Sequence, residues 1–331
     1  MRKGSKWLLS AGLAMVMALS PIAVLAAGEQ QVGNATVSPA KTTTAAEAVT
    51  KLGVLRGDGQ GVTDAYLAKT STRMQAAILY LRLMGKEQEA LSHTGLVNFA
   101  DADTAGKTMA PVLAYLKSHP ELGWNGTPGG KFEPNAAITS QQLYKVMLES
   151  LRFKSGSDFA YKDTLSFASS QGLFRAAAAA PFTNRDLAVA LTETLQTKPK
   201  SGSDTLLKEL VNMKVVTADN AAVLDGARAD IRKLADGSLY MTDGKGMALY
   251  LFTTDVFDMS SCQGKCIEFW PLFNSEANLL IDNSLKADDF GVFTRKEGAK
   301  QLTYKGWPLY YFANDKNPAM PKGKASKTGT S

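Results

Sequence analysis

The sequence predicts a multidomain chain of the α plus β class: a helical N-terminal region of three modules, followed by a small antiparallel β-rich repeat domain made of hairpins. Three observations carry this. Apolar residues recur at helical spacing from Ala45 to about Thr197, period-two alternation dominates the last third, and a Lys/Pro/Ser/Gly stretch separates the two regimes.

The chain opens with Arg2, Lys3 and Lys6, then an apolar run from Trp7 to Ala27 broken by Pro21 and ending Val24-Leu25-Ala26-Ala27. A basic start, an apolar stretch and a small-residue exit predict a secretory signal peptide over 1–27. Its removal takes away three positive charges, so the formal net charge falls from +6 to +3, and no integral membrane span is expected to remain. An exported, mildly basic chain without a basic cluster is a poor nucleic-acid ligand, and no such partner is expected. Residues 28–44, rich in Gly, Thr, Ala and Gln and lacking aromatics, read as a flexible leader.

The helical region is assigned to 45–197. Ala46, Val49 and Leu52 lead into the turn Gly57-Asp58-Gly59. Thr72 then supplies an N-cap, Gln75 completes a capping box, Ala77, Leu81 and Met84 form an apolar stripe, and Gly85 stops the helix. In the second unit Phe99-Ala100-Asp101 introduces a helix through Pro111, Val112, Leu113, Tyr115 and Leu116. A glycine-rich turn from Gly123 to Pro134 follows, and Ile138-Thr139 opens a helix through Leu143, Val146, Met147, Leu148 and Leu151. A worn third copy runs from Phe159 through Gly172-Leu173-Phe174 to Phe182-Thr183-Asn184-Arg185.

In the second unit Asn125, Gly126, Pro128, Gly130, Phe132, Pro134, Ile138 and Thr139 fall in the register of the S-layer homology module, which this stretch resembles over about fifty residues. The resemblance implies attachment to the secondary polymer of a bacterial cell wall, through the Arg that opens the second helix and polar groups of the glycine-rich turn. Carried over residue by residue, it implies polymer binding by Arg73, Asn125, Gly126 and Arg185. Ser140 replaces the basic residue in the second unit. In the third, Asn184 stands there with Arg185 one residue late, and Gly129 and Glu133 depart from the usual turn residues.

Lys198 to Asp204 is a linker by composition, and 198–227 is assigned to linker and connecting helices. The β-domain is assigned to 228–315. Within it, Lys245-Gly246-Met247-Ala248-Leu249-Tyr250-Leu251-Phe252-Thr253-Thr254-Asp255 recurs, offset by 60 residues, as Lys305-Gly306-Trp307-Pro308-Leu309-Tyr310-Tyr311-Phe312-Ala313-Asn314-Asp315. Tyr250 with Phe252, and Tyr310 with Phe312, stand two apart as strand neighbours do, and each copy follows a turn signal, at Asp243 to Gly246 and at Lys305-Gly306. The matched register predicts two hairpins in equivalent surroundings, with Tyr250 and Tyr310 equally buried. Asp255 and Asp315 fall at strand ends, where a carboxylate accepts backbone or Tyr hydroxyl hydrogen bonds; a ligand-binding role for the Tyr and Asp pair is the alternative.

These motifs, with Ser261-Cys262-Gln263-Gly264-Lys265-Cys266 and Trp270-Pro271-Leu272, resemble the secreted-repeat family of predicted bacterial lipoproteins known by the Tyr-x-(Phe/Trp/Tyr)-x-x-Asp signature. The resemblance implies an extracytoplasmic β-rich repeat without an agreed biochemical activity. No lipid-accepting Cys follows the signal sequence, and a Lys-rich tail over 316–331, expected to be disordered, replaces the usual glycine-rich ending.

Cys262 and Cys266 are the only cysteines, and in an exported chain they are expected to pair, with a free thiol pair or a metal clip as alternatives. Both histidines, His93 and His119, lie in the helical half, and no Gly-x-Ser-x-Gly, Walker-type loop or His-Glu-x-x-His occurs, so neither an enzyme nor a cofactor is expected. Met241, Met247 and Met259 with the two cysteines would suit a soft metal such as Cu(I), against the plainer role of core filling. The aromatic residues of the β-domain read as a compact core, or else as a stacking face with Trp307 and Tyr311 outward. Two functions follow: a non-catalytic, secreted, cell-wall-associated surface protein with a bacterial cell-wall polymer as partner, or a secreted redox or cofactor-binding module.

Overall fold

The computed structural model describes residues 37–316 apart from 235, 258, 275 and 276. The expected signal peptide, residues 28–36 of the leader, and the tail beyond Lys316 lie outside the described residues.

Short helices α1 (Ala45–Lys51), α2 (Asp64–Leu67), α3 (Arg73–Leu83), α4 (Glu87–Leu91) and α5 (Ala110–Ser118) precede α6 (Ser140–Ser150), α7 (Thr164–Ser170) and α8 (Asn184–Gln196). Their starts follow from local chemistry. Thr44, Thr72, Thr139 and Thr183 each accept from the backbone N–H three residues on, and Glu47, Gln75, Gln142 and Asp186 each return a bond to the cap, so α1, α3, α6 and α8 all open on capping boxes. Gly85, with φ +69°, ends α3 in the left-handed conformation that a glycine adopts without strain.

The entries of α3, α6 and α8 meet. Ile138 N–H donates to Ser71 O at 3.0 Å and Arg73 N–H to Ala136 O at 2.9 Å, while Ser71 N–H donates to Phe182 O and Asn184 N–H to Lys69 O. Buried Ser71 and Asn184 are hydrogen-bonded at 2.5 Å between them. Around this junction Tyr80, Leu81, Leu113, Phe132, Ile138, Tyr144 and Leu191 form one core, each large apolar side chain worth about 2 kcal/mol of burial.

The expected linker is part of this core. Thr205 caps α9 (Leu206–Asn212), whose Leu206, Leu207 and Leu210 are buried, and Lys200 N–H donates to Leu151 O. With α10 (Ala218–Ala221) and Val223 and Leu224, residues 205–224 bury apolar side chains at helical spacing, which holds the segment against its neighbours.

Two sheets follow, one antiparallel and one mixed. Strands β1 (Ser38–Pro39) and β2 (Thr42–Thr44) come from the expected leader; β3 (Gly226–Lys233), β4 (Leu239–Asp243), β5 (Tyr250–Leu251), β6 (Asn278–Ile281), β7 (Phe290–Thr294), β8 (Lys300–Tyr304) and β9 (Trp307–Tyr310) come from the C-terminal third, with α11 (Lys265–Phe269) between. The orders are β1-β7-β8-β9-β5 and β2-β6-β3-β4. One stretch, 38–44, thus pairs with β7 by its first half and β6 by its second, so these residues are strand and not leader; backbone pairing with β6 and β7 fixes them, since their side chains bury little. The five-stranded sheet is antiparallel throughout, as expected, but the four-stranded one is mixed, because β2 and β3 both run parallel to β6. Ala229, Leu249, Phe273, Leu279, Ile281, Phe290, Leu302 and Leu309, drawn from both sheets, make the second core.

The helical and β portions share contacts instead of forming separate domains. Leu280 of β6 sits in the helical core, Asn278 Nδ2 donates to Val223 O at 2.8 Å, and Arg175 spans to Asp230 of β3. All described residues belong to one compact unit.

Candidate functional site

The sequence placed its polymer-binding residues at a helix start and a glycine-rich turn, and the structure brings three of the four together. A cavity of about 410 Å³ is lined by Arg73 at the start of α3, by the turn Gly123 to Pro128 that includes Asn125 and Gly126, by Gln142 and Lys145 of α6, and by Tyr161. The turn has this shape for steric reasons. Gly126, at φ +75°, lies so close to Lys131 O and the Phe99 ring that a Cβ would collide with both. Asp101 clamps the far end, accepting from Phe132 N–H at 2.7 Å and Glu133 N–H at 2.8 Å. Burial opposes ionisation of Asp101, but these two donors and Lys131 outweigh it and hold its carboxyl below the usual value.

Arg73 is largely buried. Its Nε donates to Phe132 O at 2.6 Å and its guanidinium lies over the Phe132 ring at 5.1 Å, while among the described residues no carboxylate forms an ion pair with it. Burial draws its pKa below the ordinary arginine value, with Glu133 at longer range opposing. Beside it Lys145 pairs with Glu149 at 2.7 Å and donates to Gly123 O. Trp124 contributes an indole N–H that is buried with no hydrogen-bond partner among the described residues. The cavity therefore brings a guanidinium together with the polar side chains of Gln142 and Lys145, suited to an acceptor-rich ligand. Lys145, Gln142, Tyr161 and Trp124 were not singled out from sequence; helical phase from Thr139 places Gln142 and Lys145 near the turn, and nothing local marks Tyr161.

Arg185 is elsewhere. It stands on the first turn of α8, partly exposed, and pairs with Asp64 of α2 at 2.8 Å. The three-module register suggested equivalence with Arg73, but the one-residue lag turns its side chain to a different face.

In the β portion the two motif copies meet each other. Tyr250 pairs with Tyr310 across β5 and β9. The Tyr250 hydroxyl donates to Asp315 at 2.6 Å and the Tyr310 hydroxyl to Asp255 at 2.7 Å, so each copy's phenol binds the other copy's carboxylate. The rings follow suit: Tyr250 meets Phe312 edge-on at 6.2 Å and Phe252 meets Tyr310 at 6.1 Å, with Trp270 between them touching Tyr250, Phe252 and Phe312. Both turns are hairpins, Lys305-Gly306 with positive φ at both residues and Asp243 to Met247 with Gly246 at φ +84°. The expected equality of burial does not hold: Tyr310 is 0 % exposed and Tyr250 only half-buried. Tyr310 gains cover from Leu272, which bridges to it, and from Ser260, whose hydroxyl lies 2.5 Å away, whereas Tyr250 sits on the edge strand of its sheet.

Cys262 and Cys266 are joined in a disulfide, so in this state they offer no thiolate. Ser261, next to the bridge, donates through N–H and hydroxyl to Asp255, and Arg295 donates to Cys262 O. Trp307 is partly exposed, but Tyr311 is turned inward against Phe273 with its hydroxyl on Asp243 at 3.1 Å, so the two do not form the outward stacking face that was the alternative to a compact core.

Residues 291–328 match the family described as a secreted repeat of unknown function; that segment holds the second motif copy and not the first. Residues 131–214 match the N-terminal part of X-prolyl dipeptidyl aminopeptidase PepX, over a stretch from the end of the glycine-rich turn through α9 that includes neither His93 nor His119. Each match covers less than half of the chain. No curated protein matches it. The C-terminal match supports the resemblance read from the repeat motifs and agrees with a secreted chain. No helix among the described residues is long and apolar enough to cross a membrane.

Proposed function

We propose that this is a non-catalytic secreted surface protein whose helical half holds an acceptor-rich cell-wall polymer at the Arg73 cavity and presents the β-repeat outward. The observation that carries it is the convergence of Arg73, free of an ion pair among the described residues, with Gln142, Lys145 and the glycine-rich turn around one cavity. A guanidinium over an aromatic ring keeps its outer N–H groups in a fixed plane, which suits carboxylate or phosphate on a polymer. Arg185, already paired with Asp64, is outside this assignment.

The test is co-sedimentation of the whole secreted chain with purified bacterial cell walls. Binding is expected to fall as salt rises through a few hundred millimolar, because the contacts are ionic. Arg73→Ala and Lys145→Met are expected to bind at least about tenfold more weakly, a loss of about 1.4 kcal/mol, while Arg185→Ala binds as the parent. Unchanged sedimentation of both cavity variants, with native circular dichroism, would remove the anchoring role and leave the helical half a scaffold.

A further inference from the structure

A second cleft, of about 460 Å³, lies where the helical and β portions meet, between α8 and the β3–β4 side of the second sheet. It is lined by Arg175, Glu193, Arg228, Asp243, Lys245 and Tyr311, among others. The charged groups here are unusually well buried. Glu193 accepts from the Tyr144 hydroxyl at 2.6 Å through one oxygen, and through the other from Phe174 N–H, Arg175 N–H and Arg175 Nη1. Asp230 accepts from Arg228 Nε and Arg175 Nε, both at 2.6 Å. Asp243 accepts from Lys245 N–H and Met247 N–H with one oxygen and from the Tyr311 hydroxyl with the other. Every carboxylate oxygen of the cleft therefore has a donor.

The donors are not equally served. Arg175 spends Nε, Nη1 and Nη2 on Asp230, Glu193 and Gly244 O. Arg228, whose side chain is 5 % exposed, donates through Nε to Asp230, but its Nη1 is buried with no partner among the described residues. Lys245 at the rim makes no ion pair among the described residues. What the cleft lacks is an acceptor. A buried guanidinium N–H left without one costs about 1–3 kcal/mol, which a ligand oxygen would recover. The three carboxylates close by are balanced by Arg175, Arg228 and Lys245, so the cleft tolerates one added negative charge at the open guanidinium N–H and repels a dianion. Phe273 and the Tyr311 ring supply an apolar wall.

We propose that this cleft binds a small monoanionic carboxylate carried on an apolar or aromatic body, with Arg228 receiving the carboxylate and Lys245 closing over it. The volume suits a compact molecule of this kind. The site is separate from the Arg73 cavity and stands or falls independently of polymer binding.

Benzoate is the probe, and benzamide, of the same shape without the charge, is the comparator. Titration calorimetry on the whole chain is expected to give saturable binding of benzoate and at least tenfold weaker binding of benzamide. Arg228→Lys keeps a cation beside Asp230 but removes the Nη1 donor, and is expected to weaken benzoate at least tenfold; Arg73→Ala is expected to leave it unchanged. Should Arg228→Lys fail to fold, crystals of the parent chain soaked in 4-bromobenzoate decide: an anomalous bromine peak beside Arg228, Phe273 and Tyr311 supports the site. Bromine found only elsewhere, no saturable benzoate binding, equal binding of benzamide, or full retention by a folded Arg228→Lys overturns it.

Discussion

Tyr310 and Tyr250 hold the same place in two copies of one motif, yet the loss of each hydroxyl is expected to matter unequally. Tyr310→Phe strips a donor from Asp255, which is itself 3 % exposed, and leaves the Ser260 hydroxyl without its phenol partner. The cost of an orphaned buried carboxylate oxygen is about 2–3 kcal/mol. Tyr250→Phe takes the phenol donor from Asp315 at a half-buried position and should cost about 1 kcal/mol. Urea unfolding of the two variants measures this, and equal or reversed losses would mean that burial does not set the difference. Residue alternation made the strand, the phenol and the carboxylate legible in sequence. It could not tell which carboxylate each phenol takes, because that depends on β5 meeting β9, a pairing of strands far apart in the chain. Arg73 and Arg185 teach the same lesson from the other side: both were legible as basic helix starts, but one residue of phase separates a cavity wall from a surface ion pair.

At the scale of elements, capping chemistry was readable and strand edges were not. The Thr72 and Gln75 pair fixed the start of α3 from sequence alone. Strands β1 and β2 carry Ser, Pro and Thr with no hydrophobic alternation, so only their partners define them. The short turn held by Cys262 and Cys266 belongs to this scale too. A loop of this length constrains the unfolded chain by about 2 kcal/mol in the loop-entropy account. Reduction is therefore expected to lower the melting temperature by several degrees without unfolding the protein, the loss coming from the freed unfolded chain while Ser260 and Ser261 keep their bonds to Tyr310 and Asp255. Scanning calorimetry with and without reductant checks the first part; global unfolding on reduction would contradict it.

For the whole molecule, pH should bound stability on both sides. Burial raises the phenol pKa of Tyr80, Tyr144, Tyr310 and Tyr311 and pushes that of Tyr115 up to about 12. A raised value in the fold means that the protonated form is favoured there, so this stability is full below about pH 10 and is lost as pH rises further. Lys69, Lys200 and Arg295 hold Asp58, Asp158 and Glu297 below their ordinary values, and backbone donors do so for Asp101 against its burial; that contribution is present above about pH 4 and is lost as pH falls. Thermal melts across pH should show a broad plateau with a steep alkaline edge, and constant stability to pH 12 would contradict the tyrosine assignment. The shared core was the part of the whole least legible in sequence, since a Lys/Pro/Ser/Gly stretch looks like a hinge whether or not the helix after it is buried. The segment at 38–44 has a further consequence. It lies near the start of the chain, but its partners on β6 and β7 lie near the end: Thr43 and Asn278, hydrogen-bonded to each other, are 235 residues apart. A chain delivered amino end first must therefore wait for those 235 residues before that strand has anywhere to go, and closing so large a loop is slow. During refolding followed by pulsed hydrogen exchange, the amides of 42–44 are expected to gain protection last, after those of α3, α6 and α8, so that the two sheets are fastened together only after the strands they are built from.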